Sequence, residues 1–165
     1  MSISSLLEKA QFRIAKAKAR GSMADMPESA GHELIEAEVV GVGSPSASVR
    51  RITLRADALA GFRTVGADEF FGLLMPGASG RLVLPDAERV NIRAAVAEIP
   101  EEDRPVLRWY TVRRHDPAAG TVEVDIVTHG TAGPGSAWAL GAAVGDRVGF
   151  RQCGALFLPG DADRL

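Results

Sequence analysis

The sequence predicts a mainly β protein: a closed, six-stranded antiparallel Greek-key barrel with one internal helix and an additional N-terminal helix. Three observations predict this class. About six segments alternate apolar and polar residues or form short apolar runs, as strands do. Stretches rich in glycine and proline separate these segments. The length of 165 residues suits one domain with a core and hardly two.

Residues 1–33 differ in character from the rest and are predicted to form an amphipathic helix and a linker. The first twenty residues contain all three lysines, and apolar residues at positions 3, 7, 10, 14 and 17 form one stripe of a helix. We expect this helix to pack on the domain or on a second subunit, which would make a homo-oligomer. A transit peptide or a helix on a membrane surface stays open as an alternative.

The barrel domain is predicted over residues 34–165. LIEAEVVGV and SVRRITLRA alternate apolar and polar residues around the turn-like GSPSA, which predicts a hairpin. EFFGLLMP is a short apolar run that ends at Pro76, so we expect a strand buried on both faces. The following PGASGRLVLPDAERVNIR is rich in turn residues and is interpreted as an excursion between strands.

The second half of the barrel is predicted from two further strands, a helix and a last strand. VLRWYTVRR and TVEVDIVTH are predicted to form a hairpin, with Pro117 and Gly120 in its turn. A helix is predicted from about Ser136, after the glycine-rich GTAGPG. GDRVGFRQC supplies the final strand after a turn at Gly145.

Composition excludes several classes of function. A net charge of -2 gives no reason to expect nucleic acid as a partner. Cys153 is the only cysteine, and no Cys/His cluster has zinc-ligand spacing, so we expect no metal site. No apolar run approaches the roughly 20 residues of a transmembrane helix, so we expect no membrane span and a cytoplasmic protein.

Arg108, Tyr110 and Thr111 form an Arg-x-Tyr-Thr run on a predicted strand. An arginine fork binds a pair of phosphate oxygens, and a tyrosine ring packs on a flat heteroaromatic system. Side chains alternate along a strand, so Arg108 and Tyr110 should share a face and Thr111 should point away. A role for the Thr111 hydroxyl therefore requires a strand end or a twist. An exposed pair on a barrel surface is the alternative reading of Arg108 and Tyr110.

The stretch GTAGPGSAWAL adds a glycine-rich turn at a helix start. Free N–H groups and the positive end of the helix dipole attract a pyrophosphate, and Gly133 and Gly135 let the backbone come close to it. Combined with Arg108, Tyr110 and Thr111, this turn predicts a site for a flavin dinucleotide. A plain capped helix with Trp138 as a core anchor is the alternative.

Three other groups are weaker candidates. His129 lies alone at a strand end, and a single histidine is more often structural than functional. Asp125 and Glu123 form a carboxylate pair that suits acid–base chemistry but is typical of a solvated strand face. Ser136 lacks the Gly-x-Ser-x-Gly elbow of a nucleophile.

RWYTVRR, VEVDIVTHG and GPGSAWA resemble the FAD-binding half of siderophore-interacting proteins, which are flavin-dependent ferric-siderophore reductases of the ferredoxin-reductase-like group. SVRRITLRADALAGF and EFFGLLMP are similar to the family's early strands, so the resemblance runs from Leu34 to the C-terminus. It implies an oxidoreductase whose FAD passes electrons from NAD(P)H, or another external donor, to the ferric iron of a siderophore.

The resemblance also implies the roles of individual residues. Arg108 would contact the FAD phosphates, and Tyr110 would pack on the isoalloxazine. Thr111 would lie near the ring's reactive nitrogen, which makes Tyr110 and Thr111 the expected catalytic residues. The other expected FAD contacts are Val127, His129, Gly133, Ser136 and Ala137.

The sequence departs from the family at its end. Family members continue into a nucleotide-binding α/β domain, whereas this sequence stops at Leu165 and contains no strand–glycine turn–helix unit. We therefore expect the NAD(P)H-binding domain to be absent, either because the chain is a fragment or because its electrons come from elsewhere. A stand-alone flavin-binding or interaction module without turnover of its own is the alternative hypothesis.

Overall fold

The computed structural model describes residues 32–156 and, before them, Leu7, Ala10, Gln11 and Ile14. Those four residues are helical and exposed, and Leu7 and Ile14 each leave 59% of their surface accessible. The remainder of the predicted N-terminal helix, the linker up to residue 31 and residues 157–165 lie outside the described residues.

Within residues 32–156 the chain forms seven strands, two α-helices and one 3-10 helix. The strands are β1 (Leu34–Ser46), β2 (Val49–Arg55), β3 (Phe70–Met75), β4 (Val106–Thr111), β5 (Arg114–Asp116), β6 (Thr121–Val127) and β7 (Arg147–Gly154). The helices are α1 (Ile92–Ala97), α2 (Pro134–Gly141) and the 3-10 helix Asp57–Gly61. The predicted mainly β class is confirmed.

The strands form one antiparallel sheet in the order β4-β3-β7-β1-β2-β6-β5. The prediction of a closed six-stranded barrel needs correction, because the sheet has seven strands and no ladder joins β4 to β6. These two strands nevertheless lie side by side in the described structure. We call the space between them the β4–β6 gap.

The extra strand arises because VLRWYTVRR divides between two partners. The Val112 N–H donates to the Glu69 carbonyl at 2.8 Å, on the β3 side, whereas the next N–H, of Arg113, donates to the Glu123 carbonyl on β6 at 2.9 Å. Residues before this point pair with β3, and Arg114 begins the short hairpin with β6. The predicted hairpin is therefore confirmed for β5 and β6 and wrong for β4.

The core lies on the inner face of the sheet. Phe71 and Phe150 stack at 4.4 Å between ring centroids, and the edge of Phe62 meets Phe150 at 5.4 Å. Alternate residues of β2 and β6, Ile52 and Val124 among them, complete this cluster. Strand alternation therefore leaves the odd-numbered residues of β6 on the outer face.

A second, smaller cluster covers the opposite face of β3, where α1 packs Ile92 and Val96 against Leu74. Strand β3 is thus buried on both faces, as its apolar run predicts. Helix α1 lies in the stretch interpreted as an excursion, and with only six residues it is too short to produce a clear helical pattern. Its start is capped by Asn91, whose side chain accepts the Ala94 N–H at 3.2 Å.

The loop before α1 is held by a buried arginine. Arg151 is 2% exposed and donates to the Ala87 carbonyl at 3.1 Å and to the Arg89 carbonyl at 2.8 Å. The two backbone carbonyls thereby satisfy donors of the buried guanidinium, which a buried charged group requires. Among the described residues, no helix is long and apolar enough to cross a membrane.

Glu69, immediately before β3, is a buried acid that provides a test of the fold. It is 1% exposed, one of its oxygens accepts the Val65 N–H at 2.9 Å, and the other has no hydrogen-bond partner among the described residues. Burial raises the pKa of this carboxyl above its ordinary value of 4.5, and the nearby Asp68 charge raises it further. Hydrogen bonding from Val65 offsets part of that rise.

We predict that the free energy of unfolding falls less with rising pH in Glu69→Gln than in the wild-type protein. The folded protein holds the Glu69 proton more tightly than the unfolded chain, so the stabilisation is present below pH 4.5 and is lost as the pH rises through the raised pKa. Urea unfolding between about pH 4 and pH 7 measures this, with the exposed Glu101→Gln as control. Equal pH slopes for Glu69→Gln and wild type would contradict the prediction.

Candidate functional site

A cavity of about 750 Å³ lies along β4, the outer face of β6 and the start of α2. The cavity walls come from β4, from Phe70 on β3 opposite the end of β4, from the end of β6, and from the glycine-rich turn before α2. The lining residues are Phe70, Arg108, Trp109, Tyr110, Thr111, Arg113, Asp125, Val127, His129, Gly133, Pro134, Gly135 and Ser136. The β4–β6 gap forms its floor.

Backbone groups of both strands face this gap. Successive N–H groups of a strand point to opposite sides, and the Val112 N–H points to β3, so those of Thr111 and Trp109 point away from β3 into the gap. On β6 the Glu123 carbonyl points to the same gap, and alternation directs the backbone of Asp125 and Val127 there too. Unpaired donors and acceptors thus form a slot for a flat heterocycle with polar groups along one edge.

Tyr110 is half-buried, and its hydroxyl reaches the first turn of α2. A Cβ atom added at Gly135 would lie 2.2 Å from that hydroxyl, so only glycine leaves the Tyr110 side chain in its place. Cγ of Arg108, at 3.6 Å, would be in ordinary van der Waals contact. Burial raises the pKa of Tyr110, an effect that the Arg108 charge partly offsets. The hydroxyl therefore stays protonated near neutral pH and can donate a hydrogen bond.

The N-terminus of α2 is built to receive an anion. Gly133 is its N-cap in extended conformation, with φ -100 and ψ 135, and Pro134 begins the helix. No side chain caps this helix among the described residues. Its first N–H groups and dipole are therefore directed at the cavity, beside the exposed guanidinium of Arg108.

Ser136 holds the turn before α2 in shape. Its hydroxyl accepts the His129 N–H at 3.1 Å and donates to the Gly130 carbonyl, and the residue is only 5% exposed. The His129 ring lies against Gly133, because a Cβ atom there would be 3.4 Å from its Cε1 atom. Ser136 is thus engaged on both sides by the backbone, which agrees with its rejection as a nucleophile.

The sequence pattern suggested that Asp125 is a solvated acid on a strand face, but in the structure its carboxylate is ion-paired. It accepts two hydrogen bonds from the Arg51 guanidinium, at 2.7 Å and 2.9 Å, and lies 3.3 Å from Nε of Arg113. Hydrogen bonding from Arg51 lowers the pKa of Asp125, with a smaller contribution from the charge of Arg113. Asp125 is therefore ionised at neutral pH and fixed between two cations.

The structure brings most of the predicted site residues together. The cavity wall contains Arg108, Tyr110, Thr111, Val127, His129, Gly133 and Ser136. Ala137 does not line it, because its N–H lies one turn into α2 and donates to the Gly133 carbonyl at 2.9 Å. Thr111 reaches the cavity despite strand alternation, since the cavity follows the open edge of β4 and touches both of its faces.

Five lining residues lie outside the predicted site: Phe70, Trp109, Arg113, Asp125 and Pro134. Gly135 also lines the cavity, where the sequence had indicated a glycine that lets the backbone come close to the ligand. No sequence signal pointed to the meeting of Arg113 and Asp125, because it depends on the change of partner at the end of β4. No group of three or more His, Cys, Asp or Glu side chains in the described part of the chain suits a metal ion.

An open strand edge, a half-buried tyrosine, an arginine and an uncapped glycine-rich helix start are the features that FAD requires. The residues present fit this cofactor, because the missing side chain at Gly135 lets Tyr110 pack against the start of α2 while both residues line the cavity. Together with the antiparallel sheet, the site defines an FAD-binding domain. The chain belongs to the family described as siderophore-interacting FAD-binding domain, which matches residues 38–155.

Individual relatives agree with this assignment. The ferric vibriobactin reductase ViuB of Vibrio cholerae is 35% identical over 121 residues, which are 73% of this chain and 40% of that protein. The crystal structure of a siderophore utilization protein from T. fusca superposes with a TM-score of 0.67 and 31% identity, over 81% of this chain and 50% of that one. The chain therefore spans half or less of the length of these relatives.

A third comparison concerns the fold alone. The siderophore-interacting protein SipS from Aeromonas hydrophila superposes with a TM-score of 0.59 at 23% identity, over 74% of this chain and 44% of that one. The arrangement of strands is thus shared beyond the range of close sequence similarity.

We predict that Gly135→Ala weakens FAD binding by roughly tenfold, the effect of one displaced polar contact. The new methyl group collides with the Tyr110 hydroxyl, which can swing away, so the change affects the site more than the fold. Titration with FAD, followed by flavin fluorescence, measures the affinity. Gly141→Ala is a matched control in the same helix, because nothing lies within 4 Å of its added Cβ atom. Equal FAD affinity in the two variants would refute this use of Gly135.

Proposed function

We propose that this chain is the flavin-carrying part of a ferric-siderophore reductase. In this role its residues hold FAD so that electrons from a reduced donor reach ferric iron in a siderophore. The observation that supports it best is the position of the slot at an open edge of the sheet, beside Val127, which is 66% exposed. A flavin ring held there is accessible to a substrate too bulky for a closed pocket.

The proposed contacts divide the cavity into a phosphate end and a ring end. At the phosphate end, Arg108 and the first N–H groups of α2 bind the pyrophosphate, and Ser136 keeps the turn in the shape this requires. At the ring end, Tyr110 packs on the isoalloxazine, and Thr111 presents its backbone N–H and hydroxyl to the reactive nitrogen. Val127 and His129 close the site from β6.

When bound at these residues, FAD would supply the means to take two electrons from a donor such as NAD(P)H and to pass them on one at a time. The chain contributes orientation and protons to this chemistry. Tyr110 keeps its hydroxyl proton, and the Thr111 hydroxyl holds a proton beside the ring. The donor is NAD(P)H or an external carrier, and the acceptor is iron held by hard oxygen ligands. Such ligands prefer the more highly charged ion, so reduction weakens the chelate and releases the metal.

The alternative is a flavin-binding or interaction module without turnover of its own. It is supported by one observation: the family model that matches residues 38–155 describes an FAD-binding domain. Both proposals share FAD binding and differ in whether the bound flavin reduces iron.

We predict that Arg108→Ala weakens FAD binding by about 2 kcal/mol, the range for hydrogen bonds to a charged group. The Arg108 side chain is exposed, lines the cavity and donates to the carbonyl of its neighbour Leu107 at 2.8 Å, so its removal leaves the fold intact and removes one phosphate contact. Arg114→Ala is the matched control, because Arg114 is also exposed but does not line the cavity. Isothermal titration with FAD gives both affinities, and equal losses in the two variants would contradict the phosphate assignment.

We predict that the FAD-loaded chain, once photoreduced without oxygen, is reoxidised by a ferric catecholate siderophore faster than free reduced FAD is. Stopped-flow absorbance follows the flavin, and a chelator specific for Fe(II) traps the product. Because the flavin is reduced by light, the test needs no nicotinamide domain. A rate no greater than that of free FAD would favour the module without turnover. Turnover driven by NAD(P)H with this chain alone would exclude that module.

A further inference from the structure

The proposed FAD contacts leave two charged groups of the cavity wall without a role. Arg113 lines the cavity together with Asp125, and both lie outside the predicted site. The two side chains belong to a cluster with Arg51, which we call the Arg51–Asp125–Arg113 cluster. Two guanidinium groups and one carboxylate leave it a net positive charge at neutral pH.

The sheet register builds this cluster. Arg51 and Asp125 are directly opposite on β2 and β6, so both side chains emerge on the outer face. The two hydrogen bonds from Arg51 form a bidentate fork, which is the most directional ion pair that proteins make. Asp125 is thereby held in one orientation, with its second oxygen 3.3 Å from Nε of Arg113.

Arg113 is held at one end only. Its Nε contacts Asp125, whereas the two terminal nitrogens of its guanidinium have no hydrogen bond among the described residues, and the side chain is half exposed. A planar cation fixed through Nε presents its remaining donors in a defined direction. Because Arg113 lines the cavity, its charge is available to a ligand there.

The position of Arg113 identifies which part of the ligand it meets. Arg108 and the start of α2 mark the phosphate end, and Arg113 lies five residues further along the chain, roughly 16 Å in an extended strand. The Arg113 N–H bonds to the Glu123 carbonyl, which closes the β4–β6 gap at that point. Arg113 is therefore at the closed, ring end of the slot.

We infer that Arg113 contacts the pyrimidine end of the flavin and stabilises the negative charge that this end carries when the flavin is reduced, and that Asp125 is the positioning residue for Arg113. The inference rests on FAD binding in this cavity. A positive charge near N1 of a flavin favours its reduced form and raises its reduction potential. In a half-exposed site the effect is moderated by solvent. The chain would thus set how readily its flavin accepts and releases electrons.

The first test is Arg113→Leu, with the affinities for oxidised and reduced FAD measured separately. We expect the preference for reduced FAD to fall about tenfold, the size of one screened charge interaction, and the midpoint potential to fall with it. The affinity for oxidised FAD should change far less. Arg114→Leu, one residue further on and outside the cavity wall, should leave the preference unchanged.

The second test is Asp125→Asn. It separates a positioning role from a charge effect, because the two predict opposite changes in the midpoint potential of the flavin. If Asp125 only screened the cation, removing its charge would raise the potential. If it positions Arg113, the guanidinium is released and the potential falls, as in Arg113→Leu. We expect a fall, and little further change when both substitutions are combined. A raised potential would overturn the positioning role, and far-UV circular dichroism checks that the fold is retained.

The outcomes separate the inference from the function on which it rests. A wild-type chain that binds no FAD would remove the basis of both. A wild-type chain that binds FAD, with an unchanged preference for reduced FAD in Arg113→Leu, would overturn the inference alone. An unchanged potential accompanied by weaker binding of an anionic ferric chelate would likewise overturn it and assign Arg113 to the substrate.

Discussion

The structure depends on an exchange of hydrogen-bond partners between two adjacent residues. Val112 donates its N–H to β3 and Arg113 donates its N–H to β6, so one continuous stretch of chain serves two neighbours in turn. Ladder hydrogen bonds account for a sheet's cohesion, and a sheet that opens leaves backbone groups exposed. Here the exposed groups of β4 and β6 face each other across a gap, which makes them a binding site.

The other features of the site follow from this opening. The helix start of α2 lies at the open end of the gap, and glycine at position 135 lets Tyr110 and Arg108 pack against it. Ser136 fixes the intervening turn through the backbone of His129 and Gly130. At the closed end, Arg51 holds Asp125 beside Arg113, and this cluster gives the wall a net positive charge. Rigid elements thus position each group, while the cavity remains open to a large partner.

Much of the fold was predictable because its signals are local. Alternation in LIEAEVVGV and SVRRITLRA, and the apolar run of EFFGLLMP, depend on which faces are buried, and those faces are as predicted. Helix α1 was not predicted, because six residues are too few to show a helical periodicity. The count of strands was wrong because VLRWYTVRR has uniform strand character, and nothing within it marks the point where pairing changes. That point is decided by which neighbours offer carbonyl groups.

The sequence by itself determined the chemical inventory of the site: an arginine, a tyrosine, a threonine and a glycine-rich helix start, in an order that a flavin dinucleotide requires. These are properties of residue type and spacing, and they do not depend on distant contacts. Only the tertiary structure decided that the Ala137 N–H donates within its own helix, that Thr111 reaches the cavity and that Arg113 contacts Asp125. Each of these depends on the partners of backbone groups far apart in the chain, and local patterns carry no record of them.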